Sequence, residues 1–326
     1  MFFPALDSTR RQALRTFSAG LVGIGAGLSG CARIVPQGLG LALAPNPLVD
    51  PPVFNFALNL EYLEAEYYQR GVYGIGLPSN LIGPKPGAVN GGRQVNFQTP
   101  YVREFLAEIA EDEMNHVRFI RQTIAASPLI ELSRPAIDLT NSFQAIASQA
   151  GLGDNFDPFA DEASFLLGAF LFEDVGVTAY IGGSDLIAGG DSLEAAAGIL
   201  AVEAYHGGLI RTQIADMGPG MIAKADLISK ARSATESPDN RREPVGTYSF
   251  PNREQAIGAG GMFPGEIIVA PTDDQGRCFG RPPQDVLNLV YGNPAEGVKR
   301  GGFFPNGVNG VVRHSLNQAT TNARSA

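Results

Sequence analysis

The sequence is short of cysteine and of basic charge. Its 326 residues include two cysteines, Cys31 and Cys278, and its 24 lysines and arginines face 33 aspartates and glutamates, which gives a formal net charge of −9. Two cysteines cannot form a disulfide framework, and they exclude a zinc cluster built on cysteine. The acidic balance argues against nucleic acid as a partner, because the chain has no basic stripe to neutralise phosphates.

The rest of the composition is typical of a globular protein with long irregular segments. The hydrophobic fraction of 44% is ample for a core, and 17% of charged residues argues against wholesale disorder. Forty glycines and 23 prolines are many for a helical protein. Any helices must therefore be joined by long loops.

The amino terminus predicts a targeting segment. Arg10 and Arg11 form a twin arginine that resembles the signal for export of folded proteins. The apolar run from Phe17 to Leu28 is too short and too rich in glycine for a membrane span, and it fits the hydrophobic region of a signal peptide. It ends in Leu28-Ser29-Gly30-Cys31, which resembles a lipobox in which Cys31 is acylated.

We therefore expect residues 1–31 to be a twin-arginine, lipoprotein-like signal and residues 32–49 to be a linker. The protein would be periplasmic or at the cell surface, with a lipid on Cys31 as its membrane anchor. Two alternatives remain open: cleavage after Ala42-Leu43-Ala44, or a basic amphipathic start with an accidental cysteine.

Two of the three histidines lie three residues after a glutamate, at Glu113–His116 and Glu203–His206. Both pairs fall in predicted helices, over residues 99–126 and 191–217, the second opening on an Asp191–Glu194 capping box. Because residues i and i+3 share a helix face, each pair can offer a carboxylate and an imidazole to one metal ion.

Each of these helices follows a helix that carries a glutamate and, seven residues later, a tyrosine. The pairs are Glu61–Tyr68, in a helix predicted over residues 50–70, and Glu173–Tyr180, in a helix predicted over 160–181. Gly71 and Gly182-Gly183 read as the stops of these two helices. In all four helices these glutamates, histidines and tyrosines lie on the face where apolar residues recur at near-heptad spacing.

This organisation predicts an all-α fold, a four-helix bundle over residues 50–218 with a crossover of about thirty residues between its halves. Shorter helices are predicted at residues 142–149, 221–233 and 282–291. The Gly- and Pro-rich remainder, residues 219–326, reads as a loop-rich extension packed on the bundle.

Four carboxylates in one bundle core would repel one another strongly unless cations neutralised them. Two divalent ions balance four carboxylates, and oxygen-rich ligand sets with imidazole suit iron or manganese. The predicted metal ligands, for two iron or two manganese ions, are Glu61, Glu113, His116, Glu173, Glu203 and His206.

Several neighbouring residues compete with this assignment. A shift of helix register would make ligands of Glu64, Glu66, Asp112 or Asp174. Tyr68 and Tyr180 either hydrogen-bond a metal ligand and take part in catalysis or are ordinary core tyrosines. His314 reads as a solvated residue and Cys278 as a structural thiol.

At these residues the chain resembles the ferritin-like superfamily of dinuclear carboxylate proteins. Within it, the chain is similar to the desiccation-related ferritin-like group. The similarity rests on the two Glu-x-x-His pairs and on the segments 56–68, 172–180 and 301–307, and it covers about residues 50–309.

The resemblance implies a metal centre that reacts with peroxide or oxygen, in the manner of manganese catalase or a ferroxidase. Export favours peroxide disproportionation, which needs no external electrons. The alternative is a stress-protective binding protein whose metal is mainly structural. An iron-storage cage is less favoured, because the long loop and the extension would crowd a shell, while a smaller homo-oligomer remains open.

Overall fold

A computed structural model describes residues 50–125, 127, 130, 132–235, 255–258, 267–273, 275–295 and 297–313. Within these residues the chain is helical, with one short pair of strands, so the all-α prediction is confirmed. The elements are α1 (Asp50–Tyr73), β1 (Val89–Asn90), α2 (Pro100–Ile124), β2 (Ile137–Asp138), α3 (Asn141–Ala150), α4 (Glu162–Ser184), α5 (Gly190–Asp216), α6 (Pro219–Thr235) and α7 (Pro283–Tyr291). The proposed signal and linker, residues 1–49, and His314 lie outside the described part.

The four long helices form the bundle as two pairs, α1 with α2 and α4 with α5, and α1 also packs on α4. A single apolar core runs through them, including Leu58, Leu106, Phe170 and Ile210. By length and composition alone α4 could cross a membrane, but 78% of its apolar stretch is buried inside the protein, as expected of a bundle's core helix.

The connection between the two pairs crosses the bundle and includes α3. Its strand β2 pairs in parallel with β1 from the loop after α1, with Val89 opposite Ile137 and Asn90 opposite Asp138. The loop and the crossover thereby hold each other beside the bundle.

The prediction that Gly71 ends the first helix is wrong. Helix α1 continues to Tyr73, and Gly74, with φ +72° and its N–H donated to the carbonyl of Arg70 at 2.9 Å, follows its end. Gly71 serves close packing instead: a Cβ there would lie 2.0 Å from Cε2 of Phe165.

Gly182-Gly183 likewise lies inside α4, which runs to Ser184. A Cβ on Gly182 would lie 1.9 Å from the carbonyl oxygen of Arg281, so this glycine lets the backbone before α7 touch the helix. The N–H of Arg281 donates to the carbonyl of Thr178 at 2.8 Å.

The predicted capping box of the fourth helix is also wrong. Helix α5 begins at Gly190, and its N-cap residue is Gly189, which provides no side-chain cap. The N–H groups of Ala188 and Gly189 donate to the carboxylate of Asp50 at 2.8 and 3.0 Å. An acidic side chain at the start of α1 therefore fixes the entry to α5.

The carboxy-terminal part packs on the bundle through α6, α7 and the turn at Phe303-Phe304, both fully buried. Asn309 also joins α1, since its N–H donates to Oδ1 of Asn59 at 2.8 Å and its carbonyl accepts from Nδ2 at 3.1 Å. The division at residue 218 into bundle and extension stays a prediction.

Candidate metal centre

Six acidic and imidazole side chains from the four long helices meet in the middle of the bundle. Helices α1 and α4 each contribute one glutamate, and α2 and α5 each contribute a Glu-x-x-His pair. All six are buried, with 0–8% of their surface exposed: Glu61, Glu113, His116, Glu173, Glu203 and His206.

Their potential ligand atoms form two overlapping groups, within each of which all atoms lie no more than 4.8 Å apart. The first group contains Glu61, Glu113, His116 and Glu203; the second contains Glu113, Glu173 and His206. Glu113 belongs to both. The cluster is therefore arranged as two adjoining positions that share one carboxylate.

Both imidazoles present Nδ1 to the cluster. In the first group, Nδ1 of His116 lies 3.1 Å from Oε2 of Glu61 and 3.5 Å from oxygens of both Glu113 and Glu203. In the second, Nδ1 of His206 lies 3.2 Å from Oε1 of Glu113 and 3.3 Å from Oε2 of Glu173.

Many of these buried atoms lack a hydrogen-bond partner, which is the feature that fits a metal. The unpartnered atoms are both carboxylate oxygens of Glu113 and of Glu203, Oε2 of Glu173 and Nδ1 of His206. Buried polar atoms are normally hydrogen-bonded, because leaving them unpaired costs about 1–3 kcal/mol each. A cation surrounded by these lone pairs would satisfy them together.

Two tyrosines hold Glu61 and Glu173 in a reciprocal arrangement, each from the helix that carries the other glutamate. The hydroxyl of Tyr68 on α1 donates to Oε1 of Glu173 on α4, and the hydroxyl of Tyr180 on α4 donates to Oε1 of Glu61 on α1. Burial, and then the charge of the glutamate each contacts, raises the pKa of both phenols well above the ordinary value. Both therefore remain protonated donors that fix the carboxylates.

The two imidazoles differ in their outer partners. Nε2 of His206 lies 3.3 Å from Oδ2 of Asp112, a partly exposed residue next to Glu113. A carboxylate at Nε2 keeps the proton on that nitrogen and leaves Nδ1 free to bind a cation. Asp112, one of the competing candidates, thus supports a cluster residue from outside.

Glu64 is a seventh acidic side chain at the cluster. It is 5% exposed and lies one turn after Glu61, facing α4. A Cβ on Gly176 would lie 3.3 Å from Oε1 of Glu64 and 2.1 Å from Oε2 of Glu203, so Gly176 makes room for both carboxylates. Its i+3 spacing from Glu61 was the signal available in the sequence.

The two remaining competitors are engaged elsewhere. Glu66 forms ion pairs with Arg134 and, at 2.8 Å, with Arg70. Asp174 accepts from the guanidinium groups of Arg211 at 2.7 Å and Arg232 at 2.6 Å. Neither carboxylate belongs to the two overlapping groups.

Without metal, bound protons reduce the negative charge of the cluster. Burial lowers the pKa of His116, but the charges of Glu61 and Glu113 outweigh it and raise that pKa to about 12. Burial raises the pKa of Glu61 to about 7, although His116 opposes the shift. Burial and neighbouring carboxylates raise the pKa of Glu64 and Glu203 well above the ordinary value.

Glu113 behaves in the opposite way. Burial alone would raise its pKa, but the charges of the nearby His116 and His206 hold it below the ordinary value. Without metal, the carboxylate shared by both groups is therefore ionised between the two imidazoles.

Comparison with known proteins matches the same part of the chain. A family model described as Ferritin-like domain matches residues 49–216. The chain is 28% identical over 256 residues to the desiccation-related protein PCC13-62 of Craterostigma plantagineum, covering 74% of this chain and 77% of that protein. It is 27% identical over 276 residues to the ferritin-like catalase Nec2 of Nesocodon mauritianus, covering 81% and 84%. No solved structure matches the chain significantly.

Proposed function

The chain belongs to the ferritin-like domain family, and from that premise we propose that its buried cluster binds two iron or two manganese ions and reacts with peroxide or oxygen. The observation that carries the proposal is the pair of ligand groups joined at Glu113, whose buried atoms lack hydrogen-bond partners. Neither group contains sulfur, and hard carboxylates with imidazole suit these two metals.

Charge balance supports two ions. Glu61, Glu113, Glu173 and Glu203 carry four negative charges when ionised, which two divalent cations neutralise. Glu64 belongs to neither ligand group, and it would leave this balance unchanged as a neutral acid beside the pair. The cluster then has no net charge in the bundle core.

The chain's own residues would position this centre. When bound, the metal pair supplies the redox chemistry. Glu113 connects the two positions, while the hydroxyls of Tyr68 and Tyr180 orient Glu173 and Glu61. Asp112 holds the proton on Nε2 of His206, and the apolar bundle around the site limits water.

Peroxide disproportionation is the reaction we favour. One relative carries the name ferritin-like catalase, and the reaction requires no external reductant. We expect the manganese- or iron-loaded protein to release O2 from hydrogen peroxide, measured with an oxygen electrode, and Glu113→Ala to abolish the release. Loaded protein that neither releases O2 nor oxidises Fe(II) would contradict the proposal.

A second function is favoured by the other relative, whose name marks it as desiccation-related. In that case the metal would chiefly stabilise the fold, by neutralising carboxylates that are 0–1% exposed. Glu113→Ala separates the two: a structural role predicts mainly a lower melting temperature, whereas a catalytic role predicts loss of turnover.

We also propose that the protein is exported and anchored through Cys31. The support is the twin arginine and the lipobox-like segment in the sequence. Mass spectrometry of the mature protein should show a chain that begins at an acylated Cys31. An intact Met1 or an unmodified Cys31 would contradict this.

A further inference from the structure

A cavity of about 200 Å³ lies beside the cluster, between α4, α5 and the segments around residues 269–272 and 276–281. We call it the side cavity. Its wall includes Asp174, Ala204 and Gly207, the chain neighbours of Glu173, Glu203 and His206. A molecule in the side cavity would therefore be separated from the candidate metal centre only by the helices that carry it.

Two adjacent glycines in the interior of α5 line this cavity, and packing does not require them. A Cβ on Gly207 would lie 3.8 Å or more from its neighbours, and a Cβ on Gly208 would lie 3.8 Å from Val269, which are ordinary contacts. At Gly176 and Gly182, by contrast, a Cβ would lie at 2.1 and 1.9 Å from other atoms. Glycine weakens a helix interior relative to alanine, so open space is what Gly207 and Gly208 provide.

The wall carries the carboxylate of Asp174 and the guanidinium groups of Arg211 and Arg281, and all three have partners within the protein. Arg281 donates to Oγ1 of Thr178 at 2.7 Å and lies 4.7 Å from the centre of the Phe279 ring. Arg211 donates through Nε and Nη2 to the carboxylate of Asp174 at 2.9 and 2.7 Å. Arg211 also donates to the carbonyls of Ile268 at 2.9 Å and Gln255 at 2.8 Å. Burial raises the pKa of the Cys278 thiol to about 11, so this wall residue is neutral. Because the charged wall groups already have partners within the protein and most of the remaining wall is apolar, we expect an uncharged occupant to bind better than a charged one.

Its size defines the occupant further. An apolar cavity of about 150 Å³ holds a benzene molecule. We propose that the side cavity is a binding site for a small uncharged aromatic molecule, about as large as phenol, held beside the candidate metal centre. The inference goes beyond the proposed reaction and does not depend on metal.

The test measures binding of phenol to the full chain by calorimetry, in metal-loaded and metal-free protein. Gly208→Leu fills the cavity, and Gly198→Leu is its matched control, because a Cβ on Gly198 of the same helix meets nothing within 4 Å. Ala204→Leu, at an exposed wall position, is a second filling variant should the first not fold.

We expect wild type and Gly198→Leu to bind phenol alike, and the filling variants to bind it about tenfold more weakly or not at all. Benzoate, which has a similar ring and a charge, should bind far less than phenol. No binding to wild type, equal binding to Gly208→Leu, or benzoate binding as well as phenol would each overturn the proposal. Phenol binding by a wild-type chain that cannot be loaded with metal would contradict only the proposed function.

Discussion

At the residue scale, the six cluster residues could be predicted because each lies at a short, fixed spacing from a glutamate, histidine or tyrosine on its own helix. The same spacings explain why the sequence does not separate the cluster residues from neighbouring acidic residues. Glu61 and Glu64 are three residues apart and therefore face the same side of α1. Periodicity cannot separate a ligand from a neighbouring acid on the same face. Asp112 was ambiguous for another reason: its contact with His206 joins two helices whose relative rotation the sequence does not show.

Removing one tyrosine hydroxyl tests whether the reciprocal contacts matter. In Tyr180→Phe, Glu61 loses the donor that orients it, so we expect metal affinity or turnover to fall about 10–100-fold. Tyr205→Phe is the control, because Tyr205 is 80% exposed on α5 next to His206. Equal metal titrations for both variants would show that Tyr180 is an ordinary core residue.

The pH dependence of metal binding follows from the raised pKa values. Metal binding requires an ionised Glu61 and a neutral His116. Without metal, Glu61 holds a proton below its pKa of about 7, and His116 holds one below its pKa of about 12. Each residue must release that proton when the metal binds. Affinity should therefore rise with pH on both sides of 7, because His116 releases a proton throughout. Below pH 7, release of the Glu61 proton makes the metal affinity rise by about one further factor of ten per pH unit.

Titration with Mn(II) between about pH 5.5 and 8 measures this slope, the range spanning the pKa of Glu61. The steeper limb must lie on the acidic side. Affinity that is flat with pH, or that falls as pH rises, would contradict the assignment of these two groups as ligands.

At the element scale, the four long helices and their order could be predicted, whereas three of their ends could not. Gly71 and Gly182 look like stops in the sequence, yet both lie inside helices. A side chain at either position would collide with a distant part of the chain: the ring of Phe165 at Gly71, and the carbonyl of Arg281 at Gly182. Such close approaches depend on tertiary packing, which a single-sequence pattern does not contain.

Gly176 provides a test at this scale. An alanine there would place Cβ 2.1 Å from Oε2 of Glu203, so Glu203 must move and metal affinity should drop about tenfold or more. Gly183→Ala in the same helix is the control, because its Cβ would approach only Val53, at 3.9 Å. It should keep the metal and gain up to about 1 kcal/mol of stability.

Equal metal content in the Gly176→Ala and Gly183→Ala proteins would mean that metal binding does not depend on the observed position of Glu203. Elemental analysis of both proteins, with circular dichroism to compare helix content, provides this comparison.

At the scale of the whole molecule, the fold gathers carboxylates that are unfavourable in a core without cations. Removing metal should therefore lower the stability of the entire bundle. A ligand present at about a thousand times its dissociation constant adds about 4 kcal/mol to the free energy of unfolding. We expect a chelator to lower the melting temperature by several degrees and added Mn(II) to restore it. A melting temperature indifferent to both would argue against a bound ion in the core.

Metal content per chain tests the central claim most directly. Glu113 belongs to both ligand groups, whereas Glu61 belongs only to the first. Native mass spectrometry should therefore find two ions in wild type, one in Glu61→Ala and none in Glu113→Ala. Glu111→Ala, an exposed position on the same helix as Glu113, should retain both. A wild-type chain without metal, or a folded Glu113→Ala chain that still holds two ions, would contradict the claim.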